Sequence, residues 1–199
     1  YEAQPPQMCY TNPGLIQQVV KDAREYFDGT LAAHKLPYAH LKLPAPFPVE
    51  PMDNSAFCRC DDCRAQYEKG IAEAEASGSS KGKHSDYFFT FVNEVARELH
   101  KTHPDTIILT YAYLFTVVPQ PVRLEPNIRV MFCPFAKDHK FPIHDAARNA
   151  RIRDQAIGWG KVTDKTWLRE YYGCAADFPR PIEFTVKEDL LFCLTNGIH

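Results

Sequence analysis

The chain has no apolar run approaching the roughly 20 residues that cross a bilayer, so no membrane helix is expected in it. It has almost no net charge. With 23 basic and 25 acidic side chains the formal value is −2, which gives no electrostatic pull toward nucleic acid or an anionic membrane. Neither GxGxxG nor a P-loop occurs, so the phosphate-cradling glycine loops of dinucleotide and nucleotide binders are absent. Cysteine is too sparse for a disulfide scaffold: seven residues serve a chain of 199, and an odd number leaves one thiol over in any complete pairing. The chain opens without a methionine or signal-peptide pattern and closes at Asn196-Gly197-Ile198-His199, so both ends are expected to be cuts through a larger protein.

What is present is enough for a sizeable core: 45% of the residues are hydrophobic. After Asn12-Pro13, Leu15, Val19, Val20, Ala23 and Phe27 recur at helical spacing, with Asn12 as the cap. YAHLKL (38–43) predicts a short strand, and the proline-rich run after it leads to Asp53-Asn54. A polar, Gly/Ser-rich insertion (75–86) precedes an amphipathic helix carrying Phe88, Phe91, Val92, Val95 and Leu99 on one stripe. TIILTYAY (106–113) and NIRVMFCPF (127–135) are apolar strands of the kind buried on both faces. A helix over 145–162, a strand over 166–172 and a helix over 186–198 follow, with Gly197 placed to stop the last. Alternating strands and helices predict βα units on a parallel sheet. The expected fold is α/β: part of a (β/α)8 TIM barrel, about strands 3 to 7 or 8, in a single unit over 1–199, with a complete doubly wound domain as the rival.

Within FCRCDDCR (57–64), Cys58, Cys60 and Cys63 are too close to pair among themselves without strain. Thiolates at these spacings can converge on one tetrahedral ion at about 2.3 Å each, with Cys9, Cys133, Cys174 or Cys193 as the fourth ligand. Cys9 precedes the Asn12-Pro13 helix start, where a strand should end, and adjacent strand ends of a parallel barrel lie side by side. Structural zinc on Cys9, Cys58, Cys60 and Cys63 is the expected arrangement, with a disulfide pairing or free thiols as the alternatives.

MCYTNP (8–13), EPMDNSAFCRCDDC (50–63), FVNEVARELHKTHPDTIILTYAY (91–113) and LEPNIRVMFCPF (124–135) occur in this order. Together they resemble the bacterial domain-of-unknown-function family 4838, some members of which form glycoside hydrolase family 163. That resemblance implies a barrel with endo-β-N-acetylglucosaminidase action on N-glycans. The cysteine region is also similar to family 42 β-galactosidases, in which an upstream strand-end cysteine joins a CxCxxC loop on a structural zinc. The correspondence implies that Cys9 follows the third barrel strand and Asp53-Asn54 the fourth. It sets Asp53 against a neutral asparagine and Asn54 against the acid glutamate of that family.

Glycoside hydrolysis generally uses two carboxyl groups flanking the scissile bond. In a barrel they come from the C-terminal ends of different strands. Asp53 and Glu170 are the candidates for catalysis, Glu170 falling on the seventh strand in the barrel numbering. Asp53 could instead hydrogen-bond substrate or cap its loop, and Glu170 could be the structural partner of a barrel arginine. Asn54, Tyr111, Tyr113, Tyr171 and Tyr172 are candidates for substrate binding, the tyrosines because sugar rings stack on aromatic faces. Strand alternation sends Arg169 to the face opposite Glu170. The functional expectation is a glycoside hydrolase whose partner is an oligosaccharide or glycoprotein glycan, exported in its full-length form. A non-catalytic carbohydrate-binding or structural barrel that keeps the zinc clip is the alternative.

Overall fold

A computed structural model describes residues 5–32, 45–76, 85–119, 123–172 and 182–199. It is a mixed α/β structure with five helices and one four-stranded parallel sheet among those residues. In chain order the elements are α1 (Pro13–Phe27), β1 (Phe47–Pro48), α2 (Asp61–Ala76), α3 (Ser85–His100), β2 (Ile108–Ala112), β3 (Ile128–Phe132), α4 (Ala150–Val162), β4 (Thr166–Leu168) and α5 (Glu183–Thr195). None of these helices is long and apolar enough to cross a membrane.

Strand order is β1-β2-β3-β4, every neighbouring pair parallel. Ile198 adds a parallel bridge to Thr166, which extends the same sequence past β4. A doubly wound sheet reverses direction at a switch point. No reversal occurs here among the described residues, and the arrangement is compatible with an arc of a barrel.

The pleat divides the sheet into two unlike faces. Ile108, Thr110 and Ala112 of β2, and Ile128, Val130 and Phe132 of β3, are buried on one face. They belong to the same core as Phe88, Phe89, Val92, Val95 and Leu99 of α3, and Ile152, Ala156 and Trp159 of α4. Trp159 packs on Phe89 and donates Nε1–H to the Val117 carbonyl at 2.8 Å, which satisfies its one polar group in the interior. On the other face Tyr111, Arg129, Met131 and Trp167 are only half-buried. The register pairs Tyr111 with Met131 and Met131 with Trp167, so this second face runs continuously across three strands.

Most predicted elements occur with small changes of boundary. Asn12 caps α1 by accepting from Gly14 N–H at 2.8 Å, and Pro13 holds the first helical position. Gly197 has φ of +77°, the left-handed geometry that ends α5. β4 stops at Leu168, before the aromatic end of its predicted range. The predicted strand over 38–43 and most of the insertion over 75–86 lie outside the described residues, as does Cys174. Helix α2 was not anticipated. It starts inside the cysteine cluster, with Asp61 and Asp62 in its first turn, where carboxylates favour the positive helix end.

Candidate metal centre and strand-end cavity

The Sγ atoms of Cys9, Cys58, Cys60 and Cys63 all lie within 4.8 Å of one another. Cys9 is 3.7 Å from Cys60 and 3.6 Å from Cys63, too far for a disulfide. Ligands about 2.3 Å from a tetrahedral ion stand roughly 3.8 Å apart, which these separations approach. The four cysteines reach the cluster from three backbone settings. Cys9 sits in the turn before α1, where Asn12 N–H closes onto the Cys9 carbonyl at 2.9 Å. Cys58 and Cys60 lie on the loop before α2, and Cys63 in its first turn.

Cys63 is buried, and burial by itself raises a thiol pKa. Hydrogen bonds from Thr11 Oγ1 at 3.1 Å and the Tyr87 hydroxyl at 2.9 Å outweigh it and bring the thiol down to about 6. Cys9 is pushed up to about 12, chiefly by desolvation. A site with one thiolate already favoured and three more thiols at ligand distance could hold a metal ion.

Gln7 ties the Cys9 segment to the loop before the cysteines. Its Nε2 donates to the carbonyls of Met52 at 2.6 Å and Asn54 at 2.7 Å, and its Oε1 accepts from Met52 N–H at 3.0 Å. Tyr10 donates to the same Oε1 at 2.7 Å. The Asn54 amide is also engaged locally. It donates to the Pro5 carbonyl at 2.8 Å and accepts from Ala56 N–H at 2.9 Å.

At the C-terminal ends of the strands is a cavity of about 260 Å³ lined by Glu50, Pro51, Asp53, Tyr111, Tyr113, Arg169 and Tyr171. It lies on the half-buried face of the sheet. The Tyr111 and Tyr113 side chains follow from strand alternation in β2, and Arg169 and Tyr171 continue the Trp167 side of β4. Thr116 fixes the Tyr113 turn: its Oγ1 donates to the Tyr111 carbonyl at 2.8 Å and accepts from Tyr113 N–H at 3.0 Å. The Tyr113 and Tyr171 rings lie nearly parallel, 6.4 Å apart, and the exposed Phe135 meets both edge-on. Burial, and then the Asp53 carboxylate, push the Tyr113 phenol up, as expected if that charge is close to the ring.

The sequence model of the family described as "Domain of unknown function (DUF4838)" matches residues 2–199. The chain belongs to the DUF4838 family. Neither the curated proteins nor the solved structures yielded a match.

In this DUF4838 chain the structure gathers some of the sequence candidates and separates others. Asp53, Tyr111, Tyr113 and Tyr171 share the cavity. Glu170 faces the opposite way, into a buried polar cluster behind β4. There Lys137 Nζ lies 3.3 Å from Glu170 Oε1 and also bonds Asp189 Oδ2 of α5. Tyr172 donates its hydroxyl to Asp189 Oδ2 at 3.2 Å, and His139 Nδ1 stands 4.0 Å from Glu170 Oε2. Burial raises the Glu170 pKa, and the Lys137 charge works against that rise. Alternation explains the split, because residues 169 and 171 point to one face and residue 170 to the other.

Sequence reasoning missed Gln7, Lys137 and Asp189, and gave Arg169 no part in a cavity. For Asp189 the local mark was slight, a carboxylate immediately before the apolar run LLFCL. Arg169 was legible too, since it shares alternation with Tyr171. Nothing local marks Gln7 or Lys137, whose partners, Tyr10 apart, are 33 to 52 positions away.

Proposed function

We propose that this chain is the catalytic-type portion of a glycoside hydrolase acting on glycans, built on part of a TIM barrel. The observation that carries the reading is the strand-end cavity, where two carboxylates, Glu50 and Asp53, meet a wall of tyrosine rings. Carboxylates supply the proton transfer of glycoside cleavage, and aromatic faces stack on sugar rings. Asp53 is the proposed acid. Glu170 was the expected second carboxylate, and its burial against Lys137 favours a structural part for it. The family resemblance implies N-glycans as substrate, cleaved at N-acetylglucosamine, and an exported full-length protein.

The four cysteines would hold zinc as a structural ion. Four thiolates leave no open position for water, so the metal's contribution is to pin the loop downstream of Asp53-Asn54. A second reading, a carbohydrate-binding domain without catalysis, is favoured by that same sequestration of Glu170.

Release of glycan from an N-glycoprotein by the full-length protein is the test, run beside Asp53→Asn. Loss of release in the variant with its thermal stability unchanged is the expected result. Release by the parent that Asp53→Asn leaves intact would remove the site. Glycan binding without any release would leave the second reading standing.

A further inference from the structure

Among the described residues lining the cavity, Arg169 is the one cation. Its guanidinium carbon lies 5.4 Å from the centre of the Tyr111 ring and 5.9 Å from that of Tyr171, so two aromatic faces hold it. Nη1 donates to the Tyr111 hydroxyl at 3.2 Å. Among the described residues the guanidinium makes no other hydrogen bond and no ion pair with a carboxylate. A guanidinium presents five N–H donors in a planar fork. Most of that fork is therefore unspent, on a side chain whose position two rings have already settled.

Arg169 is exposed, so the N–H donors it does not use face solvent at the cavity, where a ligand can reach them. A role in neutralising Glu50 or Asp53 would bring a carboxylate within ion-pair distance, which the cavity does not do. What remains is a donor fork oriented before any ligand arrives. Such a fork matches a planar carboxylate, which accepts two parallel N–H bonds.

We infer that Arg169 is the recognition group for an acidic sugar, a uronic-acid unit whose carboxylate the guanidinium takes bidentately. The inference deepens the proposed glycan-directed function and rests on the cavity being its binding site. Tyr111 acts as a positioning residue, because its ring and its hydroxyl both set the plane of the fork. The Tyr113 and Tyr171 rings then face the body of the sugar, and Asp53 faces its hydroxyls.

Methyl β-D-glucuronide and methyl β-D-glucoside differ only at C6, as carboxylate against hydroxymethyl, and are the probes. Binding of each to the full-length protein is measured by calorimetry and by ligand-observed NMR. The expected result is a preference of about tenfold or more for the glucuronide. Arg169→Gln should abolish the preference, lowering the glucuronide affinity far more than the glucoside affinity, and Arg169→Lys should keep part of it. Tyr111→Phe should weaken it while the circular dichroism spectrum and melting temperature stay close to the parent's. Equal affinity of the parent for the two probes, binding of neither, or a preference that survives Arg169→Gln would each overturn the inference. Failure of the glycosidase reading looks different. Glucuronide binding that depends on Arg169, without hydrolysis of any glycan, removes that reading and keeps the acidic-sugar site. Hydrolysis of a glycan with no glucuronide preference does the reverse.

Discussion

Replacing Lys137 with methionine removes the cation that Glu170 and Asp189 share. The side chains of Lys137 and Asp189 are wholly buried and that of Glu170 is 8% exposed, so water cannot take over the lost charge. Breaking a buried pair by removing one partner costs about 3–5 kcal/mol. Here two carboxylates are stranded, while Ile143 N–H still donates to Asp189 at 2.6 Å and Tyr171 N–H to Glu170 at 3.1 Å. At roughly 2–4 °C per kcal/mol for a domain of this size, the melting temperature should fall by about 6–20 °C near neutral pH. The deficit should also depend on pH. Burial already raises the Glu170 pKa above its unfolded value, so the native state keeps a proton over an interval where the unfolded chain has lost it. Across that interval this group's contribution to stability falls as pH rises. Without Lys137 the native pKa climbs further, and the gap between variant and parent must widen with rising pH and narrow as the medium is acidified. Thermal and urea denaturation followed by circular dichroism, at about pH 7 and about pH 4.5, measure this directly. A loss below about 1 kcal/mol, or a gap that does not change with pH, would refute the account of Glu170 and Asp189 as buried anions held by one lysine.

Three further outcomes follow from the geometry. Purified parent protein should contain close to one equivalent of metal by elemental analysis, and Cys9→Ser and Cys63→Ser should each lose most of it; a parent without metal would remove the clip. Gln7→Ala breaks four hydrogen bonds around a residue only 3% exposed and should cost about 2–3 kcal/mol in urea unfolding, whereas a surface-like loss of a few tenths would contradict the tie between segments 5–10 and 52–56. Gly160→Ala would place a Cβ 1.6 Å from the Asn196 carbonyl oxygen, a backbone atom that cannot turn aside, so it should destabilise by about 1–3 kcal/mol or more and separate α4 from the end of α5; an unchanged melting temperature would show that the two are not in such close contact.

The sequence by itself determined the elements whose signal is local. The α3 stripe and the apolar strands β2 and β3 were legible because side chains three, four or two positions apart share a face, whatever the chain does elsewhere. Spacing also singled out Cys58, Cys60 and Cys63, and they do converge with Cys9, although residues 5–9 form no strand and Cys9 is not at a strand end. Helix α2 escaped notice because its start is also metal-loop sequence, and its sequence carries only weak helical periodicity of apolar residues.

What tertiary structure alone decided was which candidates meet. Asp53 and Glu170 each lie near a strand end, but one opens to the cavity and the other turns behind β4 to Lys137 and Asp189. A one-residue step along a strand reverses the face, so neighbours in sequence can belong to different sites. Arg169 and Glu170 are such neighbours. Only the packing of α5 against the end of β4 supplies the buried anion that claims Lys137, and only the register of β2 with β3 and β3 with β4 brings Tyr111 to Arg169.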